Sequence, residues 1–83
     1  MAVGWVQDTR GNWLYANSDG SLVTGKWLLL GNTWYYLDAY GVMITDWEKI
    51  GGYWYYFGSD GALRTNTVVQ GIYRVDGDGR WIP

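Results

Sequence analysis

Large apolar side chains recur along this chain in short bursts, and within each burst they alternate with a period of two. In Trp34-Tyr35-Tyr36 and again in Trp54-Tyr55-Tyr56, the first and third rings fall on one face of an extended strand and the middle ring on the other. A Trp opens a further segment upstream of each burst, at Trp27 and at Trp47. Glycine separates the two runs: Gly31-Asn32 lies between Trp27 and Trp34, and Gly51-Gly52 between Trp47 and Trp54. Two such runs divided by a turn pair predict a β-hairpin. Asp-Gly pairs interrupt the chain again after the bursts. No apolar stripe of helical period competes, so the prediction is all-β.

The bursts are copies of one unit. Trp5, Trp27 and Trp47 recur at intervals of 22 and 20 residues, and Trp13-Leu14-Tyr15, Trp34-Tyr35-Tyr36 and Trp54-Tyr55-Tyr56 at intervals of 21 and 20. A turn series follows them: Asp19-Gly20-Ser21-Leu22, Gly41-Val42-Met43 and Asp60-Gly61-Ala62-Leu63, trailed by Thr24, Thr45 and Thr65. A degenerate fourth unit starts at Asn66. It carries Ile72-Tyr73-Arg74-Val75 in place of the aromatic strand and repeats the turn as Asp78-Gly79-Arg80-Trp81. The units run about 4–24, 25–45, 46–65 and 66–83, within one domain over 1–83. An isolated hairpin is marginal in water, whereas stacked hairpins cover one another. The predicted fold class is therefore an all-β solenoid of stacked β-hairpin repeats.

Composition narrows the chemistry. The 83 residues include neither Cys nor His, which removes disulfides, thiolate metal sites and the commonest general base. Seven Trp and eight Tyr must supply the core instead, and thirteen Gly against one Pro mark many tight turns. A net charge of −2 argues against nucleic acid as partner, because phosphate binding needs a basic face. No stretch approaches the apolar length of a membrane span, and Met1-Ala2-Val3-Gly4 has no signal-peptide pattern. Met1 opens almost directly into a repeat, which suggests either a fragment or a separately translated module of a larger protein, and the sequence does not choose between them.

The carboxylates read as turn formers. Asp19, Asp60 and Asp78 each precede glycine, where Asp caps its own turn through side-chain-to-backbone hydrogen bonds. Asp76-Gly77-Asp78-Gly79 has a faint likeness to a calcium loop, but the terminal Glu and the other ligand positions are missing. Neither metal nor cofactor is expected. Glycoside hydrolysis needs two carboxylates facing across a cleft, which repeat turns do not supply. The expectation is a binding module and not an enzyme.

Gly25-Lys26-Trp27, Trp34-Tyr35-Tyr36-Leu37, Gly41-Val42-Met43 and Thr45 together resemble the choline-binding, or cell-wall-binding, repeat of autolysins and phage lysins. Three copies in register carry the resemblance over about the whole chain. Glucan-binding repeats of glucosyltransferases and the C-terminal repeats of clostridial toxins share the hairpin and differ in ligand. The resemblance implies an extracellular, wall-associated module that recognises choline on teichoic acid. A glucan or other glycan is the alternative ligand, with Asn32, Asp38 or Ser59 turned toward sugar hydroxyls. An assembly role is the other alternative, through a homodimer built on the last hairpins or beside a parent lysin's catalytic domain.

In such repeats choline sits between adjacent hairpins, with two rings from one repeat, one from the next and an apolar side chain closing the box. Carried over, one box takes Trp27 and Trp34 with Tyr56 and Met43. A second takes Trp5 and Trp13 with Tyr36 and Leu22. The third takes Trp47 and Trp54 with Tyr73 as a substitute, since Arg74 stands at the Tyr56 position and a cation there would repel a quaternary ammonium. Trp5 and Trp13 are eight residues apart, where the other pairs are seven apart. Tyr35, Tyr55 and Phe57 read as core on the opposite face, and Tyr40 and Tyr53 as surface aromatics. A quaternary ammonium cannot donate strong hydrogen bonds, so it favours the negative faces of aromatic rings, at roughly 0.5–2 kcal/mol per contact. Three walls make a millimolar site, about −4 kcal/mol. Several such sites facing a polymer give avidity.

Overall fold

The computed structural model describes residues 3–83, so Met1 and the abrupt opening into the first repeat lie outside the described residues. Nine strands follow in order: β1 (Gly4–Gln7), β2 (Trp13–Ala16), β3 (Lys26–Leu30), β4 (Thr33–Leu37), β5 (Asp46–Ile50), β6 (Tyr53–Phe57), β7 (Thr67–Val69), β8 (Tyr73–Val75) and β9 (Trp81–Ile82). They form antiparallel hairpins β1–β2, β3–β4 and β5–β6 and a three-stranded meander β7–β8–β9. Among the described residues there is no helix. The chain divides into two compact units, Met1–Ile44 and Thr45–Pro83, where the repeats alone predict one domain.

In the first unit the register sets Trp5 opposite Tyr15 and Trp27 opposite Tyr36. The Gly31-Asn32 turn closes β3–β4 with Gly31 at φ +61, a left-handed conformation that costs glycine nothing. β1–β2 closes differently. The amide of Asp8 donates to the carbonyl of Asn12 at 2.9 Å, and Asp8 Oδ1 accepts from the amides of Arg10 and Asn12, both at 2.9 Å. This longer turn absorbs the extra residue between Trp5 and Trp13. The register is unchanged, because Gln7 pairs with Trp13 as Leu29 pairs with Trp34.

A second turn recurs after every aromatic strand. Amides of Asn17, Asp38, Gly58 and Asp76 donate to the carbonyls of Ser21, Val42, Ala62 and Arg80 at 2.7–2.9 Å. Each turn folds the chain back so that Leu22, Met43, Leu63 and Trp81 pair with Ala16, Leu37, Phe57 and Val75. Those four partners are buried and form a repeated core position. Asp19 and Asp60 cap their turns as expected, accepting from the amides of Ser21 and Ala62. In the last unit the capping residue is Asp76 and not Asp78. Asp76 Oδ1 accepts from the amides of both Asp78 and Arg80 at 2.9 Å. Asp78 is a donor there because it lies two residues along the turn, where the amide points back at the first side chain.

In the second unit Trp47 faces Tyr56 and Lys49 faces Trp54. Tyr55 and Phe57 are buried, as expected of core, with Val69 and Val75 beside them in the buried set. Gly79 ties the last turn to the third repeat: it sits at φ +84, and a Cβ there would lie 2.8 Å from Leu63 Cδ2.

Candidate aromatic binding site

The site in the second unit grows out of strand alternation. Trp47 lies on β5, and its ring meets Tyr56 across the hairpin edge-on, with centroids 5.0 Å apart. Tyr73 opens β8 and approaches the same indole from the next hairpin, at 5.4 Å and 83°. Trp81 opens β9 and stands 6.4 Å from Tyr73, again edge-on. With Trp54 from β6, Trp47, Tyr73 and Trp81 line a cavity of about 320 Å³. This is the small end of the range for ligand pockets and suits a small head group. The faces of these rings carry the negative side of the quadrupole.

One hydrogen bond fixes the orientation of a wall. The Trp47 indole Nε1–H donates to Gln70 Oε1 at 3.2 Å. Gln70 is held in the β7–β8 turn at φ +53, so the turn itself aims the acceptor. Arg74 does not intrude. It follows Tyr73 on the same strand and so points to the other side, where it lines a separate groove with Asn66, Asp76 and Ile82. The cationic residue that resemblance placed against the site is outside it, and Tyr73 takes the inward position.

Trp81 lines the cavity although the sequence pattern places it in a turn and not among the candidate site residues, and its equivalence is visible in the repeat. Trp81 follows Asp78-Gly79-Arg80 as Leu22 follows Asp19-Gly20-Ser21, and its strand pairing matches those of Leu22, Met43 and Leu63.

The first unit brings together part of the expected groupings. The ring that the second hairpin sets against Trp5 is Tyr35, at 5.1 Å, and not Tyr36. Tyr36 is engaged across its own hairpin with Trp27 at 5.2 Å, as Tyr15 is with Trp5. Tyr35 holds the strand position before the residue facing the hairpin's first Trp, the position Tyr73 holds in β8 (Tyr35 pairs with Leu28, Tyr73 with Val69). Tyr35 is accordingly half-buried against Trp5 and does not stand apart from the Trp rings as pure core. Met43 and not Leu22 ties the second hairpin to Trp13, through its amide and the Trp13 carbonyl at 2.8 Å, while Leu22 is exposed. Trp27 and Trp34 meet edge-on at 6.1 Å. Tyr56, grouped with them by resemblance, belongs to the second unit and pairs there with Trp47.

Trp13, Trp34 and Trp54 each remain 42% exposed, so three repeats present the same indole surface outward. Tyr40 is fully outward, and Tyr53 is exposed with the Arg80 guanidinium 4.1 Å above its ring. Among the described residues no cluster of three or more His, Cys, Asp or Glu gathers as metal ligands.

Residues 46–81 match the choline-binding repeat, and residues 3–22 and 25–43 match the cell wall binding repeat. No curated protein matches the chain significantly. Among solved structures, choline binding protein F of Streptococcus pneumoniae is 45% identical at a TM-score of 0.92, covering 100% of this chain and 27% of that one. The choline binding domain of Spr1274 from Streptococcus pneumoniae is 41% identical at a TM-score of 0.87, covering 99% of this chain and 96% of that one. The pneumococcal cell wall endolysin from phage Cp-1, solved with choline, is 33% identical at a TM-score of 0.81, covering 98% and 25%. This chain thus spans about a quarter of the length of choline binding protein F and of the endolysin. The fold class is that of these hairpin-repeat solenoids. Matched along almost its entire length by the family's repeats and by the choline binding domain of Spr1274, the chain belongs to the choline-binding repeat family.

Proposed function

We propose that this chain is a non-catalytic, extracellular wall-binding module that holds choline groups of a cell-wall polymer against its aromatic rings. The observation that carries the reading is the cavity of Trp47, Trp54, Tyr73 and Trp81, which offers aromatic faces and no side-chain charge. A trimethylammonium group spreads its charge over methyls that need no hydrogen-bond acceptor, so it gains from ring faces what water cannot supply. In the first unit Trp5 and Tyr35, in edge-on contact at 5.1 Å, supply a second pair of rings, and Trp13 stays exposed. Individually weak contacts become useful when one chain meets many choline groups on a polymer. Attachment to the catalytic domain of a wall hydrolase, as in the phage endolysin, is the setting this reading implies.

Choline should change tryptophan emission saturably in the millimolar range, and ethanolamine, which lacks the methyls, far less. Trp54→Ala should remove the response of the second unit while costing about 1–3 kcal/mol of stability, since that indole is only partly buried. Equal responses to both amines, or a response to isomaltose alone, would replace choline with a different ligand.

A further inference from the structure

The fourth wall of the second-unit cavity differs chemically from its counterparts. Leu22, Met43, Leu63 and Trp81 occupy one structural position, each paired with the buried residue that ends its aromatic strand. Three of the four are aliphatic or thioether side chains. Only at Trp81 does a ring fill the position, and there it lines the cavity 6.4 Å from Tyr73. Leu or Met can exclude water from a ligand's methyls but offers no quadrupole to a cation, whereas indole offers the strongest aromatic face.

The rest of the cavity is arranged to hold that geometry. Gln70 accepts from the Trp47 indole, and at Gly79, two residues before Trp81, a Cβ would lie 2.8 Å from Leu63 Cδ2, so a side chain there would push Leu63 aside. Trp81 is itself paired through Val75, whose side chain is fully buried. Its backbone is therefore set by the meander, and its ring, 37% exposed, meets Tyr73 edge-on.

We infer that Trp81 is a specificity-determining residue that turns the second-unit site into a four-ring cage and makes it the tighter quaternary-ammonium site of the chain. This rests on the choline reading and adds a ranking of sites and a cause for it. The cage discriminates by degree of methylation, because each methyl removed from the nitrogen restores a hydrogen-bond donor that four ring faces cannot satisfy.

The test follows the indole N–H resonances of the seven tryptophans in the full chain during titration with choline and with dimethylethanolamine. In the wild type, Trp47 and Trp54 should saturate at lower choline than Trp5 and Trp13. Trp81→Leu installs the residue found at 22 and 63 and should fold. It should weaken choline at Trp47 and Trp54 about five- to tenfold and leave Trp5 and Trp13 unmoved. Trp81→Phe should recover most of the loss, and the preference for choline over dimethylethanolamine should shrink with Leu and return with Phe. Unchanged saturation at Trp54 in Trp81→Leu, with choline still bound, overturns the inference and leaves the choline reading standing. No saturable shift at any indole of the wild type overturns both.

Discussion

Glycines at two different left-handed positions do unequal work. Gly25 adopts φ +59 with open space where a Cβ would be, so Gly25→Ala should cost only the left-handed strain, about 1 kcal/mol. Gly79 carries the same kind of strain, and its Cβ would in addition collide with Leu63, so Gly79→Ala should cost about 2–4 kcal/mol. Urea denaturation of the two variants checks the order, and equal costs would show that the Leu63 contact relaxes freely. A smaller effect attaches to Asp19. Hydrogen bonds from the Ser21 hydroxyl and then its amide hold the Asp19 carboxyl below its ordinary value. The depressed carboxyl contributes stability above the unfolded-state value, and that contribution is lost as pH falls through the folded one. Ser21→Ala should therefore flatten the acid limb of a stability-versus-pH curve. At this scale the sequence was partly legible. The Trp positions and the turn aspartates Asp19 and Asp60 could be read from spacing, because each is a local signal, whereas the last cap is Asp76 and was read two residues late at Asp78. Which tyrosine meets a neighbouring hairpin could not be read so. Tyr35 and Tyr36 differ by one residue, and that difference is resolved only by knowing that Tyr36 is already occupied across its own hairpin.

Among the elements, the β7–β8–β9 meander matters most to the site. It contributes Gln70, Tyr73 and Trp81, three of the groups that orient or line the second-unit cavity. A chain ending at Thr65 keeps Trp47 and Trp54 but loses every ring that faces them from β8 and β9. It should aggregate or change oligomeric state, because an uncovered aromatic face is an association surface. Light scattering decides this, and a soluble truncation of unchanged monomeric mass would mean that the meander is dispensable as a cover. Hairpins β1–β2, β3–β4 and β5–β6 were all legible, since turn residues and period-two alternation are local signals. β9 was not. Two residues are too short for a periodic signal, and Trp81-Ile82 forms a strand only because Asp76 folds the chain back onto β8. The eight-residue step from Trp5 to Trp13 looked like a departure from the repeat. It is a change of turn alone, absorbed between Asp8 and Asn12.

For the whole molecule, ligand and fold are thermodynamically linked. Choline held between elements of a folded unit binds the native state and not the unfolded chain, so it should stabilise by about 2.7 kcal/mol per site at a hundredfold excess over its dissociation constant. Calorimetry in rising choline should show a melting temperature that climbs with concentration, and no climb would place the ligand on a surface that unfolding leaves intact. The repeat length, the all-β class and the family were legible because they depend on a pattern written several times. The division into two units was not, since it depends on how many contacts cross one loop and not on any motif.

Intermolecular nuclear Overhauser effects from choline methyl protons at saturation locate the bound ammonium. Contacts are expected from those methyls to ring protons of Trp47, Trp54, Tyr73 and Trp81, the four rings of the second-unit cavity. Contacts confined to other surfaces, such as Tyr40 or Tyr53, or none to the four rings at saturating choline, would contradict that placement.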